Sequence, residues 1–190
     1  MLYLKFSLAL LGLLLLGGCA TQPPRLPAMA DIQNFPATFL LNGRIGVQHD
    51  GQGFSGNLSW RHNGGEDEIQ LRSPLGQTVA RIQRNAKSVT LDTPEGHYTA
   101  QSSAELTEQV LGWRLPLEGM QHWVLGRPTS DGAAEIERDD SLRVTRLRQQ
   151  EWSIEYRDYR MEGNFVLPSR IVMRNETLEI KLVVDNWELP

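Results

Sequence analysis

From about residue 38 onward the chain repeats with a period of two, and that rhythm is interrupted only once. Phe39, Leu41, Ile45 and Val47 share one side of an extended chain, with Asn42, Arg44 and Gln48 on the other. Successive side chains of a strand point to opposite faces, so this alternation describes a half-buried strand. Asp50-Gly51 marks a turn. Phe54, Leu58 and Trp60 then alternate with Ser55, Asn57, Ser59 and Arg61, up to a second turn at Asn63-Gly64-Gly65. Ile69, Leu71 and Leu75 form another alternating set, and further strand candidates cover 77–84, 87–92 and 97–101. Short strands joined by hairpin turns predict an antiparallel meander.

The interruption begins at Ser102. Ser102 and Glu105 have capping-box spacing, followed by Leu106, Val110 and Leu111 and then Gly112 as a stop. Pro116 opens a second helical stretch, with Met120, Trp123 and Val124 on one side and Gly126 at its end. Strands then resume. Trp152, Ile154 and Tyr156 alternate with Ser153, Glu155 and Arg157, and 169–174 with 178–187 read as a closing hairpin around Asn175. Leu178, Ile180, Leu182 and Val184 hold one face of the last strand. The sum is roughly ten or eleven strands, and a sheet that wide must curl or pack on another layer. Two short helices are too few to cover its apolar face. The pattern therefore predicts a curved sheet with helices plugging its mouth, around either an apolar hollow or a filled core.

The N-terminus fixes the compartment. Lys5 precedes an apolar run to Leu16, and Gly17-Gly18 stand directly before Cys19. The run is short for a bilayer span, and the small residues leave the backbone open to a peptidase. This reads as a bacterial lipoprotein signal, with residues 1–18 expected to be a leader and Cys19 the lipidated residue. Cys19 is the only cysteine, so no disulfide forms within the chain. In lipoproteins that this segment resembles, Asp after the cysteine favours the inner membrane. Ala20 therefore points to the outer membrane of a Gram-negative cell. Residues 20–30 are Pro-rich and read as a tether. A short helix from Asp31 would stop at Pro36, so 19–37 form the anchored N-terminal segment and 38–190 one domain. The formal net charge of −4 gives no electrostatic case for nucleic acid.

Residues for catalysis are hard to find. His49, His62, His97 and His122 have no metal-ligand spacing and read as solvated histidines of turns and strand ends. Gly53-Phe54-Ser55-Gly56 is one residue short of a nucleophile elbow. No glycine-rich loop ends in Lys-Ser or Lys-Thr. Glu66-Asp67-Glu68 and Asp139-Asp140 read as solvated surface charge. The expectation is a protein that is not an enzyme and that holds no metal.

One turn is unusual. In Ser73-Pro74-Leu75-Gly76, Pro74 and Gly76 are turn residues, but Leu75 is a large apolar side chain where a polar one is expected. Together with the lipobox ending at Cys19, this segment resembles the LolB family of outer-membrane lipoprotein receptors. The resemblance extends through Pro116-Leu117, the run Gln121-His122-Trp123-Val124-Leu125-Gly126-Arg127-Pro128, Ile180-Lys181-Leu182 and Asp185-Asn186-Trp187. It covers essentially the whole domain, in order and spacing. It differs at the N-terminal segment, where Pro36 stands and relatives can carry a longer helix.

The resemblance implies an incomplete antiparallel β-barrel of about 11 strands, mainly β with an α insertion, with a helical lid over a hydrophobic cavity. It implies a monomeric receptor that accepts acylated lipoproteins from the periplasmic carrier LolA and inserts them into the outer membrane. No cofactor is implied beyond the N-acyl and S-diacylglycerol lipid on Cys19. Candidate cavity residues are Ile45, Val47, Phe54, Leu58, Trp60, Ile69, Leu71, Trp152, Ile154, Ile180 and Leu182. Candidate lid residues are Leu106, Val110, Trp113, Met120 and Trp123. Leu75 is the residue expected to act in membrane insertion. The alternative reading is a lipid-anchored binding protein for a small hydrophobic ligand. Period two alone does not say which strand face points inward.

Overall fold

The computed structural model of the chain describes residues 35–190. Cys19, the leader, the tether and the helix expected from Asp31 lie outside the described residues. Six strands come first: β1 (Thr38–His49), β2 (Gln52–Asn63), β3 (Glu66–Arg72), β4 (Thr78–Arg84), β5 (Val89–Thr93) and β6 (Gly96–Ala100). Helices α1 (Ser103–Leu111) and α2 (Leu117–Trp123) follow. Five strands complete the chain: β7 (Ala134–Arg138), β8 (Val144–Gln149), β9 (Trp152–Glu162), β10 (Phe165–Arg174) and β11 (Leu178–Glu188).

All 11 strands form one antiparallel sheet in the order β6-β5-β4-β3-β2-β1-β11-β10-β9-β8-β7. Every neighbour is a chain neighbour except β1 and β11, whose pairing joins the two halves. The unpaired edges are β6 and β7, and the helical insertion connects them. The sheet is therefore an open barrel whose gap coincides with the break in the period-two pattern.

The insertion forms for the local reasons its sequence gives. Ser102 caps α1 by accepting a hydrogen bond from the Glu105 amide, and Gly112 ends it in the left-handed conformation at φ 84°. Pro116 is the N-cap of α2 rather than its first helical residue. Leu106 and Thr107 bury one side of α1, which packs on β5 and β6.

The inner face is the one carrying Phe39, Leu41, Ile45 and Val47, and its side chains join those of the helices in a single core. Fully burying each large apolar side chain is worth about 1.5–3 kcal/mol, so this face dominates the stability. One irregularity shapes it. Pairing of β1 with β11 skips a residue after Asn42–Asn186, leaving Asp185 unpaired. That bulge reverses the parity of β11, so Trp187 turns inward although Leu178 to Val184 occupy even positions. Trp187 and Trp60 both meet Phe39 edge-on, at 5.4 and 5.3 Å between ring centres. Gly43 sits at the same irregularity, where any Cβ would collide with the carbonyl oxygen of Val183.

Candidate functional site

The inner face and its lid collect the residues expected there. Ile45, Val47, Leu58, Trp60, Ile69, Leu71, Trp152, Ile154, Ile180 and Leu182 all project from the sheet into the one core. Leu106, Trp113, Met120 and Trp123 meet them from the helices and their connection. Phe54 and Val110 are only half-buried and pack at its margin. The alternation, ambiguous in sequence, is thus resolved into a concave apolar surface. In this conformation that surface is covered by its own side chains and the lid.

Two polar links hold α2 across the opening. On one flank Arg84 of β4 donates from Nη2 to Gln121 Oε1 at 3.1 Å. On the other, Trp123 Nε1 donates to Gln149 Oε1 of β8 at 3.1 Å, and the Trp123 ring lies 5.8 Å from that of Trp152. Gln149 also binds the loop after α2, accepting from the Thr129 amide at 2.8 Å and donating to the Thr129 and Asp131 carbonyls. Each half of the open sheet therefore holds the same short helix through one side chain.

Arg84 is itself held by a buried carboxylate, and here two sequence expectations are corrected. Asp67 is not solvated: it is 3% exposed and accepts from Trp60 Nε1 at 2.8 Å and from Arg84 Nε at 2.7 Å. His62, also expected at the surface, is buried with Nδ1 2.8 Å from the same carboxylate. Burial alone would raise the Asp67 carboxyl. The hydrogen bonds from His62 and Trp60 and the charge of Arg84 outweigh it and hold its pKa below the ordinary value. The signal for this cluster was present in the alternation. Asp67 shares the parity of Ile69 and Leu71, and His62 that of Leu58 and Trp60. Register then places His62 opposite Asp67 and Asp67 opposite Arg84.

The other histidines differ among themselves. His97 is exposed beside Asp92, and His49 lies 3.1 Å from the Thr177 carbonyl. His122, also expected as a solvated histidine of a turn or strand end, is instead half-buried on α2, and its pKa is lowered by burial and by the charges of Arg127 and His62.

Leu75 departs from the alternating set with Ile69 and Leu71 and stands in the β3–β4 turn. It is 89% exposed, far more than any other large apolar side chain among the described residues. The turn is rigid. The Gly76 amide donates to the Ser73 carbonyl at 2.9 Å, and the Ser73 amide to the Gln77 carbonyl at 2.8 Å. Gly76 has φ 84°, which favours glycine, and Pro74 fixes its own φ. The loop thus holds an apolar side chain out in solvent by design of its backbone.

An open, curled antiparallel sheet lidded by two short helices is a fold that solved structures share. The structure superposes on a LolA superfamily protein from Nitrosomonas europaea with a TM-score of 0.52, covering 87% of this chain and 94% of that one at 11% identity. A DUF1329 family protein from Desulfovibrio piger gives a TM-score of 0.55, covering 84% and 88% at 7% identity. At these identities the likeness is one of fold.

Sequence narrows the class. Residues 37–187 match the family described as outer membrane lipoprotein LolB. The outer-membrane lipoprotein LolB of Nitrosomonas europaea is 43% identical over 162 residues, spanning 84% of this chain and 76% of its own length. That of Thiobacillus denitrificans is 37% identical over 174 residues, 91% of each chain. The chain belongs to the LolB family, and its role lies in outer-membrane lipoprotein localisation. That family is one of lipoprotein localisation proteins rather than of enzymes.

Proposed function

We propose that this chain is the receptor that takes triacylated lipoproteins from the periplasmic carrier LolA and inserts them into the outer membrane. Its own Cys19 carries the N-acyl and S-diacylglycerol groups and holds the domain on the periplasmic face. The observation that carries this reading is Leu75: an apolar side chain held out by a turn closed by its own backbone hydrogen bonds, on a domain most of whose large apolar groups line a concave face.

The physics gives each part its task. Burying a methylene is worth about 0.8 kcal/mol, so exposing three acyl chains to water would cost on the order of tens of kcal/mol. Cargo must therefore pass between apolar enclosures. The concave face supplies one when α1 and α2 lift from it, and side chains such as Trp60, Leu71 and Ile154 then exchange contacts with one another for contacts with acyl chains. Leu75 presses into the bilayer and lets the chains leave down a gradient of affinity. The lipid on Cys19 keeps the domain at high local concentration beside the membrane.

The test is transfer. LolA loaded with a triacylated lipoprotein is mixed with this protein, and cargo is followed by pull-down without ATP. Cargo moving onto this protein supports the receptor reading. Cargo remaining on the carrier, with this protein folded, overturns it and favours a binder of small hydrophobic ligands.

A further inference from the structure

The two free edges of the sheet are not equivalent. At β7, Glu135 and Glu137 project to solvent and pair with Arg148 and Arg146 of β8, and the pairing skips Thr145 of β8 opposite Glu137 and Arg138. Charges along the strand are a usual means of guarding an edge. Edge β6, Gly96-His97-Tyr98-Thr99-Ala100, has no carboxylate, lysine or arginine of its own, and its single titratable ring, His97, lies beside Asp92 of β5. It carries instead Tyr98, a large apolar side chain 37% exposed.

Tyr98 is not an isolated surface aromatic. Register places Leu41, Trp60, Ile69, Ile82, Leu91 and Tyr98 directly opposite one another across six strands. The first five are fully buried on the concave face. Tyr98 is the sixth member of that row, where it emerges at the open seam. Its ring folds back over Gly96, where a Cβ would be in ordinary contact, 3.4 Å from the hydroxyl oxygen. The apolar surface thus runs without a break from the middle of the sheet to the β6 edge, where one ring rests over a glycine beside α1.

We propose that the β6 side of the seam is the threshold over which a single acyl chain enters the concave face, with Tyr98 as its sill. This rests on the receptor reading and adds to it a route: sideways, past β6, rather than past the charged edge at β7. The occupant is a long hydrocarbon chain because the row it would follow is entirely apolar up to Tyr98. The phenol hydroxyl stays at the solvent end, where the polar ester or amide end of the chain would stop. A branched side chain on residue 96, reaching beyond a Cβ that is already in contact with the ring, would crowd it and narrow the threshold.

The experiment uses the purified full-length chain and a pyrene-labelled long-chain fatty acid, with uptake followed by stopped-flow fluorescence. Tyr98→Glu places a carboxylate on the sill, and Gly96→Val crowds it. Both should slow uptake several-fold with the thermal midpoint unchanged, while Glu135→Gln at the other edge leaves the rate alone. If the wild type takes up the probe and both β6 variants match its rate, the threshold lies elsewhere and the receptor reading stands. If Glu135→Gln slows uptake as much as they do, the route is not confined to β6 and the proposal is wrong. If the wild type takes up no probe at all, the route and the acyl-binding reading beneath it both fall.

Discussion

Asp67 stands near the start of the short strand β3 and Leu75 in the turn beyond its end, and each breaks the ordinary rule of burial. Leu75 is apolar and almost wholly exposed, whereas Asp67 is ionised and almost wholly buried. The difference lies in what surrounds them. Asp67 accepts hydrogen bonds from Trp60 and Arg84 and contacts His62, so the fold depends on it. Leu75 is held out by backbone hydrogen bonds of its own turn, so the fold has no use for its side chain. A buried charge that is fully partnered belongs to the architecture. An exposed leucine on a rigid turn is available for work on something outside the molecule.

The sharpest way to break that contrast is to remove the carboxylate. Asp67→Ala leaves the Arg84 charge facing a void and strips Trp60 Nε1 of its acceptor. Breaking a buried pair from one side costs about 3–5 kcal/mol, which urea unfolding would show as a large fall in midpoint. The same group sets a pH dependence. Its folded pKa lies below the ordinary value of 3.8, so its contribution is complete above that value. That contribution is lost as pH falls through the depressed folded value. Stability of the wild type should therefore drop below about pH 4, and Asp67→Asn should flatten that drop.

Gln149→Ala comes next. Gln149 is buried and serves Trp123 and the loop at Thr129 and Asp131 together, so its loss strands several polar groups. A cost of about 2 kcal/mol is expected, together with faster hydrogen exchange in α2, whose anchor on β8 is gone. An unchanged exchange rate in α2 would show that the helix is held by packing alone. Smallest in stability is Leu75→Glu, which should lie within about 0.5 kcal/mol of the wild type.

The sequence made nine of the strands, the helical insertion and its caps legible because period, turns and capping residues are local signals, whereas β7 and β8, short and charged, carry no clear alternation. Trp187 was harder: its inward direction depends on the skipped pairing at Asp185, which no local pattern announces. The buried cluster was half legible. Parity placed Asp67 and His62 on the inner face, but their charge suggested solvent, and only the register with Arg84 shows how burial is satisfied. Leu75 was legible as an oddity from Pro74 and Gly76 beside it. Its isolation from the core followed only once β3 was seen to end at Arg72. The Tyr98 row depended on register across six strands, beyond the reach of any single alternating segment.

The central claim separates holding cargo from releasing it, and one measurement reaches it directly. Leu75→Glu would be loaded with triacylated lipoprotein from LolA and offered outer-membrane vesicles, with cargo scored on protein and on vesicle. Acceptance near the wild-type level, an unchanged thermal midpoint and a strong loss of cargo on the vesicles would bear the account out. Insertion at the wild-type rate would contradict it, because an exposed leucine on a rigid turn would then have no part in delivery.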